Sequence, residues 1–369
     1  MKTFIPVYMP DFSGNEMTYV TDCVNSGWIS SLGKYVERFE TSFAEFCGVK
    51  HGIAVSNGTV ALHLALLLKD IGPGDEVIIP DLTFVATANV VRYVGAEPVL
   101  IDAEPFTWTI NPAQIKAKIT SKTKAIIPVH LYGHPANMGE IMALANQYGL
   151  YVIEDAAEAH GAEYKGKRVG SLGDIGAFSF YGNKVITTGE GGMLVTDDND
   201  LADRARFLKD HAMSKEDRYW HPEVGYNYRI TNMQAAIGLA QLERIEIILA
   251  RKIEIAQKYK KELEGCHGIA VQPEANWAKN IYWMFSILVT DESHLNRNEL
   301  MSALQEKGID SRPFFYPIHQ LPPYSGARGD FFVAKDLSAR GINLPSYPTL
   351  SNLQIEFVCQ TIRELCKCR

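Results

Sequence analysis

Residues 51–80 read HGIAVSNGTVALHLALLLKDIGPGDEVIIP. HGIAVS (51–56) is a short apolar run of strand length, and GTVALHLALLL (58–68) has the length and character of a helix. GPGD (72–75) is a turn, and EVIIP (76–80) is a second strand. The same alternation continues toward the C-terminus. Residues 83–93 read as a helix, EPVLID (97–102) as a strand, 112–119 as a helix, KAIIPV (124–129) as a strand, 138–148 as a helix and LYVIE (150–154) as a strand. Two further strand-like runs lie at 175–180 and 193–196. Apolar strands separated by helices predict an α/β fold with a mostly parallel sheet covered on both faces.

Outside this block, residues 13–26 and 34–47 read as helices. Val36, Phe39, Phe43 and Phe46 form an apolar stripe on the second. After residue 230 the pattern changes. Thr231 is predicted to cap one long helix running to Gly265, too long for one layer of a sheet domain. It is read as a connector into a smaller C-terminal α+β domain holding strand 281–290 (IYWMFSILVT), helix 297–307 and helix 351–366. The expected boundaries are 1–245 for the large domain and 246–369 for the small one.

With 46% hydrophobic and 21% charged residues over 369 positions, the chain can bury a sizeable core. The net charge of -7 and the absence of a basic block argue against nucleic acid as a partner. No apolar run approaches the ~20 residues needed to span a bilayer, so no membrane association and a cytoplasmic location are expected. The six cysteines lack paired CxxC units and are expected to be free thiols, with no metal site. His130 and His134 in VHLYGH have no nearby carboxylate or cysteine pattern in sequence, and are read as core or loop histidines.

The chemistry concentrates in a few short stretches. FSFYGNKVITTGEGG (178–192) carries one lysine, Lys184, between an apolar run and a turn-rich segment. Such a lysine is either an ordinary surface residue or an amine placed to form a Schiff base with a carbonyl compound. Asn57-Gly58-Thr59 is either a plain turn or a phosphate seat, since glycine allows close approach and a helix start offers N–H groups. Asp155 in VIEDAAEAH, at a strand's C-terminal end, is either a helix N-cap or the partner of a protonated ring nitrogen; Glu158 follows it. Ser179 offers a hydroxyl to a phosphate. Asn227 and Arg229 in GYNYRITN are polar groups among aromatics, with an interface role as the alternative. Taken together in the order phosphate loop, acid, serine, lysine, these parts point to pyridoxal phosphate, with Phe84 as the ring that stacks on it.

SNGTVALHLAL, VIEDAAEAHGA, FSFYGNKVITTGEGGM and GYNYRITNMQAAIGLAQLE resemble the nucleotide-sugar aminotransferases of the DegT/DnrJ/EryC1/StrS family, which have the fold type I architecture. The resemblance spans essentially the whole chain. It implies that Lys184 binds the cofactor covalently and then shuttles protons, and that Asp155 pairs with the ring nitrogen. It further implies that Gly58, Thr59 and Ser179 hold the phosphate, aided by Asn227 of a second subunit, so a homodimer with shared active sites is expected. Glu158 is placed near the ring hydroxyl. Phe84 stands where relatives often have tyrosine or tryptophan, which keeps the stacking and removes a polar handle. WISSLGKYVERFE, VHLYGH, RYWHPEVGYNYR, SRPFFYPIH and GINLPSYPTLSN resemble the subgroup that aminates GDP-4-keto-6-deoxy-D-mannose with L-glutamate. Trp28, Ser30, Arg229, Arg312, Tyr316 and His319 are the candidates for holding the nucleotide-sugar. Relatives that dehydrate such sugars carry histidine where Lys184 stands, which argues against that reaction. A non-catalytic, regulatory protein on the same fold is the reading from another class.

Overall fold

The computed structural model describes residues 4–327 and 329–367. Its main sheet has seven strands in the order His51–Val55, Gly192–Thr196, Ile175–Ser179, Tyr151–Asp155, Thr123–Ile126, Glu76–Pro80, Glu97–Ile101. Neighbours are parallel from Ile175–Ser179 to Glu97–Ile101, and Gly192–Thr196 is antiparallel to both of its neighbours. All seven strands form where strand-like runs were expected, and Gly192–Thr196 and Ile175–Ser179 join the first strand to the parallel block. These strands are buried almost throughout, which is why they read as continuous apolar runs and not as alternating ones.

Helices cover the sheet. Gly58–Leu68 is buried nearly all round. Lys34–Cys47 presents Phe39 and Phe43 to the core at 0% exposure, and Val36 and Phe46 pack at its margin. Phe39 lies where Asn232–Leu242 passes, and a Cβ on Gly238 would meet its ring at 2.7 Å. The small residue there lets two helices approach closely.

The long helix expected from Thr231 is two helices, Asn232–Leu242 and Ile245–Glu262. Thr231 does cap the first, in a reciprocal capping box with Gln234. The break at Glu243 and Arg244 has a tertiary cause. Glu243 accepts hydrogen bonds from Tyr19 Oη at 2.7 Å and Asn15 Nδ2 at 2.8 Å. Arg244 pairs with Asp11 at 3.1 Å and leaves helical geometry at φ -115°, ψ 7°. Contacts with the N-terminal segment outweigh local helix propensity there.

A second sheet has four strands in the order Ile269–Val271, Phe285–Val289, Gly341–Leu344, Arg312–Pro313, all pairs antiparallel. The helices Arg297–Glu306 and Asn352–Leu365 and the second half of the broken helix pack on it around a separate apolar core. Helices Asn199–Leu208 and Phe332–Arg340 were not expected. Residues 281–290 were expected to be one strand, but only Phe285–Val289 pairs. Tyr282 has φ 49°, which bends the preceding residues out of the sheet.

Cys23, Cys47, Cys359 and Cys366 are free and buried. The expectation fails at Cys266, which is disulfide-bonded. Cys368 lies outside the described residues. No helix among the described residues is long and apolar enough to cross a membrane.

Candidate active site

The C-terminal edge of the main sheet carries the site, as expected for an open parallel sheet. A cavity of about 610 Å³ there is lined by Gly58, Thr59, Phe84, Asp155, Glu158, Ser179 and Lys184, with Tyr93, Trp283 and Phe315 among the other walls. The parts arrive from several strand ends. Gly58 opens a helix after strand His51–Val55, with the Asn57 side chain capping Val60 N at 3.0 Å. Phe84 follows Glu76–Pro80, Asp155 ends its strand, and Ser179 ends the next. Lys184 lies in the turn that follows, its N–H donating to Tyr181 O at 2.9 Å.

The cradle formed by Gly58 and Ser179 is tight. A Cβ on Gly58 would meet Ser179 Cβ at 2.7 Å and Oγ at 3.2 Å, so only glycine lets the helix start lie against that serine. Asp155 is buried. Its Oδ2 accepts from Thr87 Oγ1 at 2.8 Å and its Oδ1 from Ala157 N at 3.3 Å. Burial pushes its carboxyl above the ordinary range, against the pull of these donors and of Lys184. A desolvated acid of this kind is stabilised by a cationic partner.

Lys184 and Glu158 face each other at 3.8 Å, with side chains 12% and 5% exposed. Burial lowers the amine's pKa, against the opposing pull of Glu158 and Asp155. Burial likewise pushes Glu158 up to about 7. Glu158 Oε2 also accepts from Tyr132 N at 2.9 Å. The two shifts move the pair toward its neutral form, and a neutral amine is the nucleophilic form.

Other expected residues stand apart from the cavity. Asn227 is exposed, on a bridge with Asp210. Arg229 pairs with Asp210. Trp28 and Ser30 are exposed, and their carbonyls accept from Asn232. Arg312 pairs with Asp310, and Tyr316 is exposed. His319 is held by Asp81, with Nδ1 at 2.7 Å from Oδ2 and its backbone N–H at 2.9 Å from Oδ1. That clamp fixes the segment carrying Phe315, whose ring lies 5.6 Å from Phe84 across the cavity mouth.

His130 was read as lacking a carboxylate, but Glu154 lies 3.0 Å from its Nε2. Glu154 in turn accepts from the backbone of Gly170, Leu172 and Gly173, and His130 Nδ1 accepts from Ala136 N. His134 likewise engages Pro135 O and Ala275 N. Both imidazoles thus spend their nitrogens on the fold. Thr87, Trp283 and Phe315 were missed. Thr87 had a signal, since Thr83 and Thr87 are four apart on one predicted helix. Trp283 and Phe315 had none, lying 99 and 131 residues beyond Lys184.

The DegT/DnrJ/EryC1/StrS aminotransferase family model matches residues 10–363. The chain belongs to the DegT/DnrJ/EryC1/StrS aminotransferase family. The family's GDP-perosamine synthase from Escherichia coli O157:H7 is 50% identical over 361 residues, 98% of each chain. The GDP-perosamine synthase from Vibrio cholerae is 46% identical over 366 residues, 99% of this chain and 100% of the relative. Among solved structures, a DegT DnrJ EryC1 StrS aminotransferase from Brucella abortus superposes with TM-score 0.90 at 33% identity, over 95% of each chain. The PLP-form of the putative sugar aminotransferase Spr1654 from Streptococcus pneumoniae gives TM-score 0.93 at 27% identity, over 99% of each chain.

Pyridoxal phosphate fits the residues present in this family member. The cradle that a Cβ on Gly58 would fill suits a phosphate. The buried acid Asp155 suits a protonated ring nitrogen. The amine of Lys184 opens on the same cavity, and Phe84 supplies an aromatic wall.

Proposed function

We propose that this chain is a pyridoxal-phosphate-dependent sugar-nucleotide 4-aminotransferase that converts GDP-4-keto-6-deoxy-D-mannose and L-glutamate to GDP-perosamine and 2-oxoglutarate, for O-antigen or similar surface polysaccharide. The observation that carries it is the placement of the Lys184 amine and the Asp155 carboxylate on one cavity with the Gly58–Ser179 cradle. Near-full-length identity to GDP-perosamine synthases supports the choice of substrate.

When bound, pyridoxal phosphate supplies a carbonyl for amines and a ring that takes up carbanion charge. The protein's part is to hold and move protons around it. Gly58, Thr59 and Ser179 would anchor the phosphate, and Phe84 would cover the ring. Asp155 would keep the ring nitrogen protonated, through the charge that its burial leaves unsatisfied. Lys184 Nζ, freed when glutamate arrives, would carry the proton lost from the glutamate α carbon to the cofactor, and in the second half would carry a proton from the cofactor to sugar C4. The nitrogen that leaves glutamate ends on that C4, and 2-oxoglutarate departs. Glu158, beside the amine, would take the ammonium proton that Lys184 must lose to become nucleophilic.

The active site is read as completed by a second copy of the chain. Phe84, Tyr93 and Tyr181 at the cavity are 54%, 60% and 52% exposed in one protomer, which supports a covering partner. Asn227, exposed and away from its own cavity, is the residue read as reaching the partner's phosphate seat.

The testing experiment is a product assay with glutamate and a panel of GDP-, UDP- and dTDP-linked 4-keto-6-deoxy sugars. Amination at C4 of the GDP-mannose derivative, with 2-oxoglutarate in equal amount, is the expected result. Preference for a UDP- or dTDP-linked sugar would overturn the substrate.

A further inference from the structure

Residues 281–284 leave the second sheet and reach the main cavity. Two tight backbones make this turn. Tyr132 and Tyr282 hold left-handed φ values of 53° and 49°, and Gly133 between them has φ 101°. A Cβ on Gly133 would lie 2.7 Å from Trp283 N and 2.9 Å from Tyr282 N, so the two turns pack backbone to backbone. Ile281 N donates to Gly133 O at 3.2 Å, and Tyr282 N to Asn280 Oδ1 at 2.8 Å. Left-handed bulky residues are strained and persist where the surroundings fix them, often at working sites.

What these turns deliver is one side chain. The Trp283 indole is 4% exposed, and its Nε1–H donates to Asn183 O at 2.7 Å, directly before Lys184. Its face lies under the Lys184 amine, with Nζ 4.0 Å from the ring centroid. Tyr8 Oη donates to the Lys184 carbonyl at 2.6 Å, so backbone and side chain of Lys184 are each held by an aromatic residue distant in sequence. The same loop that places Gly133 against Trp283 also gives Tyr132 N to Glu158. Both neighbours of the amine therefore depend on one junction.

We propose that Trp283 is a positioning residue for Lys184. Its indole face holds the free amine between proton transfers, opposite Glu158. This rests on the reading of Lys184 as the cofactor-binding, proton-moving amine. The titratable groups around the amine are Glu158 and Asp155, with His160 also in electrostatic reach. Those carboxylates favour the charged amine, and so does the ring face. Burial opposes both.

The test measures the Lys184 amine itself. Full-length protein without cofactor is labelled with an amine-acylating reagent across a pH series, and the Lys184 peptide is quantified by mass spectrometry. Loss of the face in Trp283→Leu is expected to speed labelling about fivefold on the acid side of the amine's titration. Trp283→Phe, which keeps a face, is expected to stay within about twofold of wild type. Wild-type rates in a folded Trp283→Leu protein would overturn the proposal, as would equal rates in the two variants. Uniform incorporation of fluorinated tryptophan avoids any folding defect, because it weakens the ring face without changing its shape. Among the described residues, Trp283 is the only tryptophan whose ring lies under the Lys184 amine. Faster labelling is expected, and an unchanged rate refutes the role. A parallel sample with pyridoxal phosphate separates the two readings. Protection of Lys184 with no shift in Trp283→Leu refutes the positioning role alone. A shift without protection refutes the cofactor reading, and with it any role of Trp283 in the reaction.

Discussion

Gly58→Ala separates cofactor binding from folding. The new methyl would sit 2.7 Å from Ser179 Cβ and 3.2 Å from both Ser179 Cα and Oγ, and the first two atoms belong to a strand end that cannot swing away. Overpacking of this kind costs about 1–3 kcal/mol. Gly58 is the first residue of a helix, where alanine is preferred by up to ~1 kcal/mol, so the net loss of stability should be about 0–3 kcal/mol. The chain should fold. Relief of the clash must displace Ser179 or the helix start, and these are the groups read as holding the phosphate. Losing one hydrogen bond to a charged group costs about 1.5–3 kcal/mol, which weakens cofactor binding about 10- to 150-fold. The assay is an absorbance titration of pyridoxal phosphate into the protein, beside a thermal melt. Wild-type affinity in a variant that melts within a few degrees of wild type would refute the placement of the phosphate.

Three further outcomes are expected. Glu158, pushed up to about 7 by burial, holds a proton in the folded chain that the unfolded chain sheds near pH 4.5. Stability of the cofactor-free protein should therefore fall as pH rises from about 4.5 to 7, by up to ~3 kcal/mol, and Glu158→Gln should flatten that slope in a melting series. His319→Ala leaves Asp81, 0% exposed, with backbone donors only, and should cost about 3 kcal/mol in denaturant unfolding while loosening the segment behind Phe315. Lys184→Ala and Asn227→Ala should each be nearly inactive, yet regain up to about a quarter of wild-type activity when mixed and reassembled, because a shared two-fold interface forms one intact site in mixed dimers. No rescue would count against that sharing.

Much of the site was legible because its parts are local. Strand ends, a helix start and a turn each lie within a few residues of the chemistry they present. Gly58, Asp155, Ser179 and Lys184 could therefore be read as candidates from type and position, and the fold brings all four onto one cavity. The apolar alternation from residue 51 to 154 likewise decided the sheet, since buried parallel strands need continuous apolar runs and their crossovers need helices. Thr231 told where its helix starts, because a cap is a contact between residues three apart.

The sequence could not say where that helix would stop, that His319 would clamp Asp81, or that Trp283 would lie under Lys184. Each of these is a contact between residues far apart in the chain, 238 positions in the case of Asp81 and His319. Such a pairing has no period and no local composition. Residue type was even misleading at 281–284, where IYWM has the look of a strand and a left-handed Tyr282 turns it into the cavity. Local rules set the elements and the chemical groups they carry. Packing between elements decided which of those groups meet.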